Sequence, residues 1–263
     1  MALIDPIFLK ARLADAAGRF DVDALDVCDS TSSEAMRRAD HGAPSGSVIV
    51  ADRQTAGRGR RGREWLSEPE ASLTFSLIWR FPGSASRLSG LSLAVGLALA
   101  RALEGMGARG VGLKWPNDVL LETSEGFAKL AGILIELSSD RRGTLAIIGV
   151  GLNLLPPAVV LPQPAAGLSQ ALGQAPDRHE VLAALLGQLV TILDGFTVNG
   201  FLGQKSEWLR YHAWQGRTVQ VLGDGDRPVV GSCRGVDDDG SLLIETVDGI
   251  ERVLSGDVSL RCV

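Results

Sequence analysis

Five arginines, Arg53, Arg58, Arg60, Arg61 and Arg63, fall within eleven residues that also hold three glycines and no acid. Guanidinium groups present planar donor forks that match carboxylate and phosphate oxygens, and glycines let a loop bring its backbone N–H groups close to a ligand. Such a stretch can hold an anion; the competing reading is a solvated basic loop, the usual state of a charge run. Residues 57–62 also match G-x-G-x-x-G, but Pro69 and a strand pattern follow where the dinucleotide fingerprint needs a helix. No G-x-x-x-x-G-K-[ST] segment occurs, so a Walker-type phosphate loop is absent.

A second constellation is Lys114-Trp115-Pro116-Asn117-Asp118, at the end of an apolar strand pattern. Of 26 lysines and arginines only four are lysines, Lys10, Lys114, Lys129 and Lys205. The point charge of Lys114 can neutralise an anion deep in a site, or snorkel to solvent from the strand end. The third is Ala131-Gly132-Ile133-Leu134-Ile135-Glu136 with Gly149-Val150-Gly151-Leu152-Asn153-Leu154. Glycine inside an apolar run weakens a strand unless a ligand or backbone must approach closely; a bulge is the alternative. Asn153, between two leucines, needs a hydrogen-bond partner if buried.

The frame that must position these groups is that of an ordinary globular chain, with 263 residues and 45% apolar content, enough for one large domain and a small one. The pattern predicts a helix over 6–19 and a short strand at Leu25 and Val27. Asp29-Ser30-Thr31-Ser32 then reads as a turn and N-cap opening a helix through Met36. Strands follow over 47–51 and 71–81, a central buried helix over 87–106, and strands over 111–115, 129–137 and 144–152. After a proline-rich loop at 156–164, helices are predicted over about 177–193 and 201–211. Neighbouring strands in a mixed order make the class α+β.

From Arg217 onward, short strands separated by acidic turns such as Asp237-Asp238-Asp239-Gly240 predict a small β-barrel, dividing the chain into residues 1–214 and 215–263. That tail carries nine acids against five arginines, and the whole chain a net charge of −5, which argues against a general nucleic-acid surface. Cys28, Cys233 and Cys262, and His41, His179 and His212, are too scattered for a disulfide framework or a structural zinc site. No unbroken apolar run reaches the roughly 18 residues of a membrane span, and Asp5, Lys10, Arg12 and Asp15 do not suit a signal peptide. These features predict a cytoplasmic protein.

Taken in order, Asp29-Ser30-Thr31, Gln54 through Arg63, Lys114 through Asp118, Gly132 through Glu136 and Gly151-Leu152-Asn153 resemble the biotin-protein ligase family over nearly the whole chain. The resemblance implies a mixed-sheet catalytic domain with a small C-terminal SH3-like β-barrel, and an enzyme that joins biotin to ATP as biotinyl-5′-AMP. Biotin would then pass to one lysine of a biotin carboxyl carrier domain. By the same resemblance Ser30, Thr31, Ser32 and Gln54 would contact biotin, as would Arg58, Gly59, Arg60 and Lys114, with Gly132 lining the pocket. Arg58, Arg60, Arg61, Trp65, Asn117 and Asn153 would serve the nucleotide, and Arg60 and Lys114 would be the catalytic cations. Mg²⁺ would accompany ATP, with ligands the sequence does not identify. The glycine/arginine loop would close as a lid that keeps water from the adenylate.

Two positions depart from the family pattern: Ser32 stands where members commonly have Asn, and Ala166-Gly167-Leu168 where they often have Thr-Ser-Leu. The sequence has no room ahead of the motifs for the DNA-binding domain of some members, which predicts no DNA partner and no repressor role. Monomer and homodimer both stay open. Lipoate-protein ligases resemble the same domain and are the nearest enzymatic rival, and an RNA-binding protein using the arginine loop is the non-enzymatic one.

Overall fold

Side-chain alternation along β3 (Ser72–Phe81) and β7 (Gly143–Asn153) separates a core from a hollow. On β3, Leu73, Phe75, Leu77, Trp79 and Phe81 enter the main core, which leaves Ser72, Thr74 and Ser76 on the opposite face. On β7, Ala146, Ile148, Val150 and Leu152 enter the same core. Their alternates Gly149, Gly151 and Asn153 are registered against Ser76, Thr74 and Ser72. One face of the sheet is therefore apolar throughout, and the other is paved at one end with small and polar residues.

A computed structural model describes residues 2–159, 161–222, 228–255 and 259–262. In chain order the first elements are α1 (Pro6–Arg12), β1 (Asp21–Cys28), α2 (Thr31–Asp40), β2 (Ser47–Gln54) and β3, then α3 (Leu91–Gly105). There follow β4 (Val111–Lys114), β5 (Asp118–Thr123), β6 (Gly126–Asp140), β7, α4 (Leu168–Leu172), α5 (Arg178–Asn199) and α6 (Leu202–Tyr211). Seven strands form one sheet in the order β1-β2-β3-β7-β6-β5-β4, with β1 and β2 parallel and every other pair antiparallel. This is the mixed sheet of the predicted α+β class. Helices α3 and α5 cover its apolar face, and α2 covers part of the other through a small cluster of Ala35, Ile49, Ile78, Leu145 and Ile147. Where that cluster ends, the small-residue floor begins.

The C-terminal strands β8 (Thr218–Leu222), β9 (Val229–Val236), β10 (Leu242–Thr246), β11 (Gly249–Val253) and β12 (Ser259–Cys262) form a second, antiparallel sheet ordered β11-β10-β9-β8-β12. The expected barrel is thus found as an open five-stranded sheet. Its edge β12 pairs with β8, its edge β11 with β10, and no pair joins the two edges among the described residues. The two sheets share one continuous core that includes Val219, Cys233, Leu242 and Ile244. Trp115 donates its indole N–H to the Gly240 carbonyl at 3.0 Å, and His212 sits at the joint against Trp208. Burial pushes the His212 imidazole down to about 4, so this ring is neutral at pH 7.

Several expectations shift. The first helix stops at Arg12, and a 3₁₀ turn (Ala14–Arg19) follows with Ala14 at φ 47°. The long central helix breaks at Gly90, φ +79°, where a Cβ would lie 2.7 Å from Phe201; the break lets the start of α6 pack there. Strand β5 was not predicted, although Val119, Leu120 and Leu121 are fully buried, and α4 was hidden behind the proline-rich loop. Residues 85–105 and 178–199 are long and apolar enough to cross a membrane by length and composition, although neither is an unbroken apolar run. The first is 72% buried over its most apolar window, and α5 buries Val181, Leu185, Leu189 and Phe196 in the core.

Candidate active site

A cavity of about 840 Å³ lies on the small-residue end of the sheet, roofed by the glycine/arginine loop and by the segment after β7. Its closed end is made where β1 runs into α2. Asp29 accepts from the Ser30 N–H at 2.8 Å, and Arg37 grips the same carboxylate through two nitrogens. Arg37 and the Ser30 amide together hold the Asp29 carboxyl down to about 2. Ser30 occupies the predicted N-cap without a side-chain capping bond among the described residues, and it lines the cavity. Gln54, at the end of β2, accepts from the Thr31 N–H at 2.8 Å and from the Thr31 hydroxyl at 3.2 Å.

The floor explains the glycines. A Cβ on Gly151 would lie 2.2 Å from the Trp65 indole, and one on Gly132 would lie 3.2 Å from that ring and 3.1 Å from Lys129 Nζ. β7 stays in register with both neighbours, so close approach rather than a bulge accounts for Gly151, whereas β6 shifts register against β5 between Ala131 and Lys129, so Gly132 stands beside a bulge as well as against the ring. The Trp65 Nε1 is buried and has no hydrogen-bond partner among the described residues. Beside it Asp118 joins two cations: Lys129 Nζ at 2.6 Å and Lys114 Nζ at 3.7 Å. Burial, opposed by Asp118, lowers the Lys114 ammonium below the ordinary lysine value, and its Nζ stands 4.6 Å over the Trp214 ring.

The mouth is closed by a folded loop. Trp65 N–H donates to the Gly57 carbonyl at 2.9 Å and Gly59 N–H to the Arg63 carbonyl at 2.7 Å. Gly57 has no room for a Cβ, which would sit 2.2 Å from the Trp65 carbonyl oxygen. Arg58 pairs with Glu136 on β6 at 2.5 Å. Arg60 reaches the Asn117 Oδ1 at 3.3 Å and the Ser255 carbonyl of the C-terminal sheet region at 3.1 Å. Extended backbone, not a helix, follows Gly62, so the G-x-G-x-x-G match is not a dinucleotide motif.

Ser30, Thr31, Ser32, Gln54, Arg58, Gly59 and Arg60 all line this one cavity, together with Trp65, Lys114, Asn117, Gly132 and Asn153. Arg61 does not; at φ 60° it lines a separate, more open depression formed by the loop with Leu134 and Glu136. Asn153 donates to the Ala166 carbonyl at 3.1 Å and so tethers the segment after β7. The glycine in Ala166-Gly167-Leu168 is required by contact, since a Cβ there would lie 2.2 Å from the Leu155 carbonyl carbon. Lys129 was missed as a site residue. Its signal was the scarcity of lysine, and its alternation with Ala131 obscured it.

A hollow on a mixed sheet, roofed by a glycine/arginine loop and floored by two lysines, is the arrangement of a protein ligase of the biotin and lipoate type. The model of the Biotin/lipoate A/B protein ligase family matches residues 26–153, and that of the Biotin protein ligase C terminal domain matches 216–261. The chain is 33% identical to the biotin--[acetyl-CoA-carboxylase] ligase of Mycobacterium tuberculosis, over 97% of this chain and 95% of that one. It is 36% identical to the bifunctional ligase/repressor BirA of Escherichia coli, over 91% of this chain and 74% of that one. Among solved structures, the Aquifex aeolicus biotin protein ligase in complex with biotin and ATP superposes with a TM-score of 0.79 at 33% identity, over 92% of this chain and 99% of that one. The chain belongs to the biotin protein ligase family.

Proposed function

We propose that the cavity joins biotin to ATP and passes biotin to one lysine of a carboxyl carrier domain in a biotin-dependent carboxylase. The observation that carries this is the division of the lining: uncharged hydroxyl and amide groups of Ser30, Thr31, Ser32 and Gln54 gathered at the closed end, and the cations Lys114, Lys129 and Arg60 gathered around Asp118 and Asn117 on the floor and loop. Biotin's ureido ring has both donors and acceptors to satisfy such a closed end, whereas the dithiolane of lipoate has no N–H to offer. With the ring held there, the carboxylate points toward the cations.

The carboxylate oxygen attacks the α-phosphorus, the bond to the bridging oxygen breaks, and pyrophosphate leaves. Arg60 and Lys114, with Lys129 beside them, offset the repulsion between the two anions and the charge that builds on phosphorus, and Asp118 holds the two ammonium groups in place. The acceptor amine then attacks the acyl carbon of the mixed anhydride, AMP leaves with the bonding pair, and the amine loses a proton to solvent. No covalent enzyme nucleophile is needed. Mg²⁺, when bound with ATP, would supply charge neutralisation to the triphosphate; among the described residues no group of three His, Cys, Asp or Glu side chains converges, and Asp118, ion-paired with Lys129, is the carboxylate that lies beside the cavity cations.

The reading extends to a division at residues 214 and 215, an SH3-like character for the C-terminal sheet, and action in the cytoplasm on carrier protein rather than on DNA. Supplying ATP, Mg²⁺ and a carrier domain with biotin or lipoate in turn tests it. Pyrophosphate release and label transfer with biotin are expected; transfer with lipoate alone would move the chain to the other branch of the fold.

A further inference from the structure

The closed end of the cavity can be read proton by proton, starting from a group with only one role. The Thr31 backbone N–H can only donate, and it meets Gln54 at 2.8 Å, so the atom there is the amide oxygen and the Gln54 NH₂ is free to donate elsewhere. The Thr31 hydroxyl lies 3.2 Å from that same oxygen and must give it its single proton. Ser76 Oγ stands 2.8 Å from Thr31 Oγ1, which now has only lone pairs to offer, so Ser76 donates to Thr31. Ser76 has then spent its proton, and Ser32 Oγ, 3.1 Å away, is left to donate to Ser76. The chain of protons runs Ser32 to Ser76 to Thr31 to Gln54.

Ser76 is fully buried on β3 and does not line the cavity, whereas Thr31 and Ser32 do. The Ser32 hydroxyl can reach it because Gly149 has no side chain; a Cβ there would lie 2.6 Å from Ser32 Oγ. With both protons drawn away from the cavity, the oxygens of Thr31 and Ser32 face it as acceptors, and the Gln54 amide faces it as a donor. We propose that Ser76 is a positioning residue that fixes Thr31 and Ser32 as acceptors and thereby selects a ligand whose ring N–H groups donate. This rests on the biotin reading above. It adds that selectivity for the ureido ring is set partly by a residue that never touches it.

The test is to titrate the wild-type protein, Ser76→Ala and the near-isosteric Ser76→Cys with four probes. These are biotin, dethiobiotin, which keeps the ureido ring, and the two cyclic carbamates in which one ureido N–H is replaced by a ring oxygen. In Ser76→Ala the Ser32 proton is released toward the cavity, so biotin and dethiobiotin should both weaken by about tenfold. Rejection of at least one carbamate should shrink by a similar factor, about tenfold, because a freed hydroxyl can donate to its ring oxygen. KM for ATP should stay the same. Ser76→Cys keeps the volume but has a weak donor, so it should follow Ser76→Ala, and it carries the test if the alanine variant does not fold. Equal weakening of biotin and the carbamates, no change in either, or a cysteine variant that behaves as wild type would each overturn the proposal. Failure of the wild-type protein to bind biotin at all would refute the functional reading instead.

Discussion

The closed end of the cavity and its mouth are held by different physics. At the closed end, Thr31, Ser32 and Ser76 are 3%, 5% and 0% exposed, and they are joined by neutral hydrogen bonds to one another and to Gln54. At the mouth the Arg58 and Glu136 side chains are 41% and 28% exposed and are joined by charge. Buried neutral networks are costly to leave half-made, so they stay in one arrangement, whereas exposed ion pairs are worth little and break easily. The difference divides the work. Recognition of a small ring needs fixed donors and acceptors, and admission of ATP and then of a carrier protein needs a wall that can open.

Lys129 stands between the two regions, and removing its charge should have the largest effect. Its Nζ is held by Asp118 at 2.6 Å and the side chain is only 17% exposed, so Lys129→Gln keeps most of the stem while deleting the cation. Adenylate formation, followed as pyrophosphate release, should fall by about 10²- to 10³-fold, the range for loss of one preorganised electrostatic group. KM for biotin should change little, because the ring is held at the other end. If biotin binding collapses and turnover of bound biotin does not, the division drawn here between the two ends is wrong.

A smaller effect is expected at Arg60, which ties the loop both to Asn117 and to the Ser255 carbonyl. Arg60→Gly removes a planar cationic fork and adds backbone freedom, so the loop should release biotinyl-adenylate about tenfold faster. The escaped mixed anhydride would acylate lysines of bystander proteins. Biotin incorporation into an unrelated protein measures this, with the melting temperature recorded beside it. Unchanged retention, or a large drop in melting temperature as the only effect, would show that Arg60 does not clamp the lid.

The mouth was legible from residue type, since glycines and arginines together mark an anion loop, whereas at the closed end the pattern showed only a turn and N-cap at Asp29 to Ser32, and Ser30, Thr31, Ser32 and Gln54 gained a ligand role only through the family resemblance. Gly149 and Gly151 did stand out, interrupting an apolar strand at a spacing of two. Ser76 was not singled out, because one serine within Leu73, Phe75 and Leu77 reads as ordinary strand alternation until the hydroxyls of Thr31 and Ser32 are seen beside it. At the mouth, five arginines of like type carry no sign of which way each one faces. Only the structure shows that Arg61, at φ 60°, does not line the main cavity while Arg58, which does, pairs with Glu136. Strand β5 was lost for a similar reason: it directly follows the Lys114 to Asp118 turn, whose polar residues drew the reading away from Val119, Leu120 and Leu121.

The smallest expected effect is also the sharpest test of the contrast. Glu136 was part of a sequence motif without a role, and the structure gives it one as the anchor for Arg58. Glu136→Gln keeps the shape and removes the charge, at a pair that is partly exposed and so contributes under about 1 kcal/mol. The loop should release adenylate faster by roughly threefold at low salt. Raising the ionic strength toward about 0.5 M should loosen the wild-type loop by a similar amount, because salt screens the pair, and should leave the variant nearly unchanged. Biotin affinity of the protein, governed by the neutral closed end, should move with neither. Salt-insensitive release in the wild type, or a biotin affinity that follows the salt, would mean that charge does not hold the mouth apart from the closed end.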